Sequence, residues 1–366
     1  MRAVALIDGE HYAPVVRDAL RALPYEWVGA ILVGGTEKLR GDNDYGVPLV
    51  DSFGDAELVV DLSDEPVLSP PERMRWVSRA LAARLPYVGA DFRFDPPPLE
   101  AFPLPSIAVI GTGKRVGKTA VTAHLARLLA RDRSVVVVAM GRGGPPEPEL
   151  VDSPPSVEEL VARSRAGRHA ASDHLEVAAL AGVPTIGCRR AGGGLAGAVF
   201  VSNVAAGAAL AAERRPDVVV FDGSGAAMPP VDVDRRVLVV GRDLRRDAYL
   251  DTYRRLVSDV VVEGFELRLR PTAPLEGRVA VFTAGGADVS HLDADVVHVS
   301  TSLSNRELLR GDLVDADTYL VELKAAAIDV VAEHALARGI RVVLAANDVV
   351  APGLDEQLLA LAPVAA

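Results

Sequence analysis

The sequence predicts an α/β protein: a doubly wound, mostly parallel-sheet P-loop NTPase domain with a smaller N-terminal α/β domain. Three observations predict it. Short apolar runs alternate with stretches of helical spacing along the chain, the order expected of parallel strands joined by crossover helices. Several runs, such as Val135-Val136-Val137-Val138, are continuously β-branched, which fits strands covered on both faces. One glycine-rich run, Gly111-Thr112-Gly113-Lys114-Arg115-Val116-Gly117-Lys118-Thr119, lies between a strand-like segment and a helical one.

In order, residues 3–7, 28–33, 57–62 and 87–89 read as strands, and 12–23 and 71–85 as helices. Together they make an N-terminal α/β domain over 1–95. Residues 96–105 hold five prolines in ten positions, too stiff for a helix or a central strand, and read as an interdomain linker. Beyond it the alternation resumes. Strands are expected at 107–110, 135–140, 185–188, 218–221, 237–240, 260–263, 279–283, 296–299, 319–321 and 342–344. They would form one nucleotide-binding and catalytic domain over 106–366, with room for a further break near 270 at Arg270-Pro271-Thr272-Ala273-Pro274.

The glycine-rich run carries the most chemistry. Strand, glycine turn, Gly-Lys-Thr and helix is the layout of a phosphate-binding P-loop. Its backbone N–H groups and the helix N-terminus surround phosphate oxygens. The nine residues from Gly111 to Thr119 would cradle ATP, with Lys118 reaching the β- and γ-phosphates and the Thr119 hydroxyl ligating Mg²⁺. The strict pattern places glycine five residues before Gly117, where this chain has Thr112; the glycine stands one residue earlier, at Gly111. Lysine usage points the same way. Of 39 Lys+Arg only four are lysines, Lys38, Lys114, Lys118 and Lys324, and two of them sit in this loop. A compact ammonium fits a crowded phosphate cradle better than a planar guanidinium, so Lys114 joins Lys118 as a catalytic candidate.

Other constellations follow strand ends, where ligands sit in open α/β sheets. Asp222, closing Val218-Val219-Val220-Phe221, is either a Mg²⁺ ligand or a turn-forming Asp-Gly. Arg142, in Gly141-Arg142-Gly143-Gly144, is either a bidentate phosphate clamp or part of a flexible loop. A basic island holds Arg163, Arg165, Arg168, His169, His174, Arg189 and Arg190, against Asp173 and Glu176, beside Gly192-Gly193-Gly194. In an acidic chain it is a candidate trap for a polyanionic small molecule, or else a solvated helix face. Asp8, Glu10 and His11, past the first strand, are candidate substrate contacts, although such tips more often serve as a cap or turn. Glu322 and Lys324, after 319–321, form either an ion pair or part of a site in which Lys324 neutralises transferring phosphoryl oxygens, or else simply an exposed helix start. Asn347-Asp348 holds a strand-end position from which it could contact a nucleotide base.

The formal net charge of −11 argues against nucleic acid and anionic membrane as main partners. A single cysteine, Cys188, excludes an internal disulfide framework and a cysteine-based zinc site. No apolar stretch reaches membrane-spanning length and the N-terminus is unlike a signal peptide. Cytoplasmic location and a homodimer are expected.

The P-loop spacing resembles that of dethiobiotin synthetase and its relatives. Taken with Leu6-Ile7-Asp8-Gly9-Glu10-His11-Tyr12, Gly141-Arg142-Gly143-Gly144-Pro145, His169-Ala170-Ala171-Ser172-Asp173-His174, Gly187-Cys188-Arg189-Arg190, Val201-Ser202-Asn203-Val204 and Glu322-Leu323-Lys324-Ala325, the chain resembles the cyclic 2,3-diphosphoglycerate synthetase family. The resemblance runs from residue 6 to about 350; archaeal members are expected to extend further at the C-terminus. It implies ATP-driven closure of 2,3-bisphosphoglycerate into a cyclic phosphoanhydride, with release of ADP and phosphate. It further implies Lys114, Lys118 and Mg²⁺ on the nucleotide side, and Arg142, Arg189, Arg190 and the histidines on the substrate side. Competing readings are another P-loop ligase or kinase acting on a small acid, and a nucleotide-switched regulatory ATPase. The first leaves the arginine and histidine island unexplained. The second is disfavoured by a short, proline-broken C-terminus without basic residues.

Overall fold

The computed structural model describes residues 1–39, 44–241, 250–286 and 288–362. The chain divides into two compact units, Met1–Pro98 with Asp243–Ser258, and Leu99–Arg242 with Asp259–Ala366.

The first unit is built on a five-stranded sheet in the order Glu26–Leu32, Arg2–Ile7, Leu58–Asp61, Tyr87–Val88, Arg93–Phe94. All pairs are parallel except the last. Strand Arg2–Ile7 is paired on both sides and buried from Ala3 onward. Helix Ala13–Ala22 has proline in its first turn, where the missing N–H costs nothing, and buries Val16 and Leu20, one turn apart on one face. A helix from far along the chain, Asp251–Leu256, packs on helix Pro70–Ala82 and buries Arg254 to 1% exposure. A contiguous 1–95 domain leaves this helix out, because a six-residue helix carries no local signal of which core it joins. The first unit ends inside the proline-rich segment, and Glu100–Ala101 pairs with Val231–Asp232 in the second.

The second unit contains the expected nucleotide-binding sheet. Its order is Val201–Ser202, Thr185–Ala191, Val135–Gly141, Val218–Asp222, Ser106–Gly111, Arg235–Val239, Val260–Val262. Along this order every pair is parallel except that of the edge strand Val201–Ser202, and a further strand, Glu149–Val151, pairs antiparallel with Thr185–Ala191. The sheet is covered on both faces. Val135 and Val137 share a core with helices Lys118–Leu129 and Asp173–Ala181. Val138, pointing the other way, lies 3.4 Å from where a Cβ on Gly207 of helix Val204–Glu213 would stand.

The strands predicted at 279–283, 296–299, 319–321 and 342–344 exist but do not extend that sheet. They form a separate one, in the order Glu266–Pro271, Arg341–Val350, Thr318–Glu322, Arg278–Phe282, Asp295–Ser300, with its own apolar core. Buried strands read alike whichever sheet they join, so periodicity cannot divide them. Among the described residues no helix is long and apolar enough to cross a membrane.

Candidate active site

The glycine-rich run connects strand Ser106–Gly111 to helix Lys118–Leu129. Its backbone is left-handed at Arg115 (φ 59°) and Gly117 (φ 90°). At Gly117 a Cβ would lie 2.7 Å from Cζ of Phe265, so a side chain there is excluded twice over. Thr112, the departure from the strict pattern, ties the root of the loop to the neighbouring strand. Its N–H donates to Val239 O (3.1 Å), and its hydroxyl accepts from the Gly241 N–H (3.2 Å). Glycine could make the first bond but not the second.

Lys118 is 8% exposed, and its Nζ donates to Asp222 Oδ1 at 2.8 Å. The Thr122 hydroxyl donates to the same oxygen, also at 2.8 Å. Burial raises the Asp222 carboxyl against the opposing pull of Lys118. Asp222 Oδ2 is buried without a hydrogen-bond partner among the described residues. Thr119 is half-buried one residue past Lys118. An open carboxylate oxygen, with the Thr119 hydroxyl one residue past the lysine that bonds the same carboxylate, suits a hard cation that also binds phosphate oxygens.

Beside the P-loop, side chains from neighbouring strand ends converge. Arg142 follows strand Val135–Gly141, Arg190 lies near the end of Thr185–Ala191, and Gly223-Ser224-Gly225 follows Val218–Asp222. A Cβ placed on Gly225 would lie 3.0 Å from Arg142 Nη2, 3.7 Å from Lys114 Cγ and 3.8 Å from Arg190 Nη2. Arg190 is held in place: Nη1 donates to Gly192 O (2.6 Å), and Nη2 to Ser224 O (2.7 Å) and Oγ (3.2 Å). Its Nε is buried without a hydrogen-bond partner among the described residues. Burial and then Arg142 push the Arg190 guanidinium below its ordinary value, while Asp173 opposes. Arg142 and Lys114 are exposed, and neither makes a hydrogen bond or ion pair among the described residues. Cations gathered without a bonded carboxylate repel one another until an anion joins them.

The basic island divides. Arg163 makes a bidentate pair with Glu149 (2.6 Å twice), and Arg165 pairs with Glu333 (2.8 and 2.5 Å). Both are structural ion pairs. His174, expected as a cationic substrate contact, is 2% exposed beneath Gly187, whose Cβ would lie 2.6 Å from its ring. Burial pushes its pKa down to about 4, so it is a neutral core histidine that shares a hydrogen bond with Ser172 Oγ (3.0 Å). Arg168, His169 and Arg189 stay exposed, with His169 beside Gly143 of the Arg142 loop. Lys324 pairs with Glu176 at 2.6 Å instead of Glu322, whose carboxylate accepts from Asn347 Nδ2 (2.8 Å) and Ala284 N–H (2.7 Å). Asp348 accepts from Arg127 (2.8 Å) and Arg270 (3.0 Å). The bonds of Asn347 and Asp348 are therefore to protein, which replaces the expected base contact.

In the first unit Asp8 organises its own turn. Oδ1 accepts from the N–H groups of Glu10 (2.9 Å) and His11 (3.2 Å) and faces His11 Nδ1 (3.0 Å), and Oδ2 accepts from the Asp64 N–H (2.9 Å). Burial raises its carboxyl, but these bonds outweigh it and the net shift is downward. Both oxygens are occupied, so Asp8 is a turn-organising carboxylate.

Two features escape sequence reading. Asp173 counts there only as a counter-charge to the island. In the fold its Oδ2 lies 3.2 Å from where a Cβ on Gly141 would stand, and its charge is felt by Asp222, Arg190 and Lys324. The other is the Ser224-Gly225 turn on which the cations meet. A Gly-Ser-Gly after a strand-end Asp is the one available signal.

A nucleotide cradle at the centre of a parallel sheet, with clustered cations at the adjoining strand ends, defines a P-loop nucleotide-dependent enzyme. Three family models match the chain: the N-terminal domain of cyclic 2,3-diphosphoglycerate synthetase over residues 2–95, its P-loop domain over 106–266 and its C-terminal domain over 280–348. The chain belongs to the cyclic 2,3-diphosphoglycerate synthetase family. The synthetase of Rubrobacter xylanophilus is 46% identical over 433 aligned positions, covering 100% of this chain and 98% of that protein. Those of Thermococcus kodakarensis and Methanothermus fervidus are 38% and 36% identical, covering 94% of this chain and 94% and 92% of their own lengths. An alignment of 433 positions over 366 residues places residues that the Rubrobacter relative has in addition inside the aligned span. Among solved structures, LpxK from Aquifex aeolicus in complex with ATP is similar at TM-score 0.42 and 15% identity, covering 73% of this chain and 91% of that one.

Proposed function

We infer that this chain closes 2,3-bisphosphoglycerate into cyclic 2,3-diphosphoglycerate, consuming ATP and releasing ADP and phosphate. The observation that carries the reading is the meeting of the Arg142 and Arg190 guanidiniums at Gly225, with the Lys114 side chain alongside, next to the P-loop. A single nucleotide does not need this second, unpaired set of cations; a second polyanion does.

The chemistry balances in two steps. An oxygen of one substrate phosphate attacks the γ-phosphorus of ATP, the bond to the β-phosphate oxygen breaks, and ADP leaves. An oxygen of the other substrate phosphate then attacks the activated phosphorus and expels the transferred group as inorganic phosphate. The new anhydride lies within the substrate. Both nucleophiles are already ionised, so no strong general base is required. The burden is electrostatic: several negative charges must be brought within bonding distance. In this reading Lys118 leaves Asp222 for the β- and γ-phosphates. Lys114 stands between nucleotide and substrate, and Arg142 and Arg190 clamp the substrate, with Arg189, Arg168 and His169 adding exposed positive charge. Lys324, half-exposed but already held by Glu176, adds less to the same anions than the cations without a carboxylate.

Mg²⁺ fits the residues present: the open Asp222 Oδ2 and the Thr119 hydroxyl would hold it. Bound there, it would neutralise charge on the nucleotide's phosphates. A cytoplasmic location, where ATP is available, and a homodimer complete the reading; sedimentation at several concentrations tests the second.

The test is ³¹P NMR of the protein with MgATP and 2,3-bisphosphoglycerate. A cyclic phosphoanhydride signal growing in step with ADP is expected. ATP turnover indifferent to the substrate, with no new signal, would remove this reading in favour of a different small-acid ligase or kinase.

A further inference from the structure

Gly225 has two reasons to lack a side chain, and they can be separated. Its φ is +60°, a left-handed conformation that strains any other residue. Yet Gly339, at φ +69°, shares that backbone and has nothing within 4 Å of a Cβ position. Backbone conformation is the whole explanation there. At Gly225 the Cβ position is also flanked by Arg142 Nη2 at 3.0 Å, Lys114 Cγ at 3.7 Å and Arg190 Nη2 at 3.8 Å.

The turn around it cannot readily move aside. Ser224 and Ala227 exchange backbone hydrogen bonds (3.1 and 3.0 Å). Ser224 O and Oγ hold Arg190. The Gly225 carbonyl lies 3.2 Å from where a Cβ on Gly111, the first P-loop glycine, would stand. The turn therefore touches both the nucleotide cradle and the cation cluster, and an added methyl group would crowd the Arg142 guanidinium, which stands 3.0 Å away, while filling the space beside Lys114 and Arg190.

We propose that Gly225 is the specificity-determining residue of the substrate-phosphate subsite: its missing side chain lets Lys114, Arg142 and Arg190 close on a single phosphate of a bisphosphorylated small acid. Ser224 is the positioning residue that aims Arg190 into that subsite. Both assignments rest on the cyclisation reading for the identity of the substrate.

The test compares Gly225→Ala with Gly339→Ala, which imposes similar backbone strain without crowding any cation. Gly225→Ala is expected to raise KM for 2,3-bisphosphoglycerate at least tenfold, to change kcat less than KM, and to leave ADP affinity within twofold. It should also narrow the preference for 2,3-bisphosphoglycerate over 3-phosphoglycerate in direct calorimetric titration. Gly339→Ala should lower the melting temperature to a similar extent and leave KM unchanged. An unchanged KM in folded Gly225→Ala, or an equal rise in Gly339→Ala, overturns the proposal. If Gly225→Ala does not fold, Ser224→Ala decides: it removes the hydroxyl bond to Arg190 and keeps the carbonyl bond, so KM should rise about twofold to threefold, and wild-type behaviour overturns it. If the wild-type protein forms no cyclic product, the cyclisation reading falls separately. Calorimetric titration with 2,3-bisphosphoglycerate, which needs no turnover, then judges the subsite: binding at least tenfold weaker in Gly225→Ala supports it, and equal binding overturns it.

Discussion

Two sets of arginines in the second unit end in opposite states. Arg163, Arg165, Arg127 and Arg270 each meet a carboxylate, Glu149, Glu333 and, for the last two, Asp348. Arg142 and Arg190 meet no carboxylate at bonding distance and converge with Lys114 on a glycine. Sequence offers both sets as the same residue type in similar polar surroundings. The difference teaches that pairing, more than charge density, separates scaffold from site. A cation already held by a carboxylate has little left to offer a ligand. One kept unpaired beside other cations is tolerated only where something must later complete it.

Lys118 strains this comparison hardest, because it is paired and yet expected to act. Lys118→Ala should lower kcat by about 10²–10³. It also strands a buried Asp222, so the double variant Lys118→Ala/Asp222→Asn should regain melting temperature without regaining turnover. Circular dichroism melts and an ATPase assay read both arms. Recovery of turnover in the double variant would mean that Lys118 serves only to neutralise Asp222.

Next come the two sets themselves. Arg142→Ala or Arg190→Ala should raise KM for 2,3-bisphosphoglycerate about 10–100-fold, a loss of about 1.4–2.8 kcal/mol, with little change in melting temperature. Arg163→Ala should do the reverse. The Arg163 guanidinium holds the Glu149 carboxyl below its ordinary 4.5. A depressed carboxyl adds stability above the unfolded value that disappears as pH falls through the folded one. The wild type should therefore lose stability below pH 4.5, and Arg163→Ala should lose less on that descent. Steady-state kinetics and melts across pH 3–6 separate the two sets; an equal KM effect from Arg163→Ala would erase the distinction.

His174 sharpens the comparison from another side. Buried and neutral, with a pKa near 4 against an unfolded value of about 6.5, it binds its proton more weakly folded than unfolded. Its stability contribution is complete above pH 6.5 and lost progressively down to about pH 4. His174→Gln should flatten stability across that window and leave KM unchanged. A rise in KM there would return His174 to the substrate side. The smallest effect is expected at Arg189, exposed and free of side-chain bonds among the described residues: Arg189→Ala should weaken substrate use by about threefold to fivefold, less than the clamping arginines, and spare ADP binding. Wild-type kinetics would make it solvated surface.

The P-loop was legible because its determinants are contiguous: strand, glycines, lysine and helix fall within one short window. The strands were legible for the same reason, as each is a local run. Which sheet a strand joins was not, because Val279–Phe282 and Val218–Phe221 look alike and differ only in distant partners. The pairing state of the arginines was hidden on the same principle. Arg165 finds Glu333 across 168 positions and Lys324 finds Glu176 across 148, so an island that is compact in sequence was dispersed by contacts that sequence proximity cannot show. Gly225 was hidden because a glycine after a strand reads first as a turn, and its second reason exists only once Lys114, Arg142 and Arg190 arrive from three other elements.

We propose that this unpaired cluster is what recognises the substrate. Calorimetric titration of 2,3-bisphosphoglycerate into wild type and Arg142→Ala/Arg190→Ala, both saturated with ADP, tests it most directly. Binding at least a hundredfold weaker is expected in the double variant, with ADP affinity within twofold of wild type. Wild-type affinity for the bisphosphate in a folded double variant would contradict it.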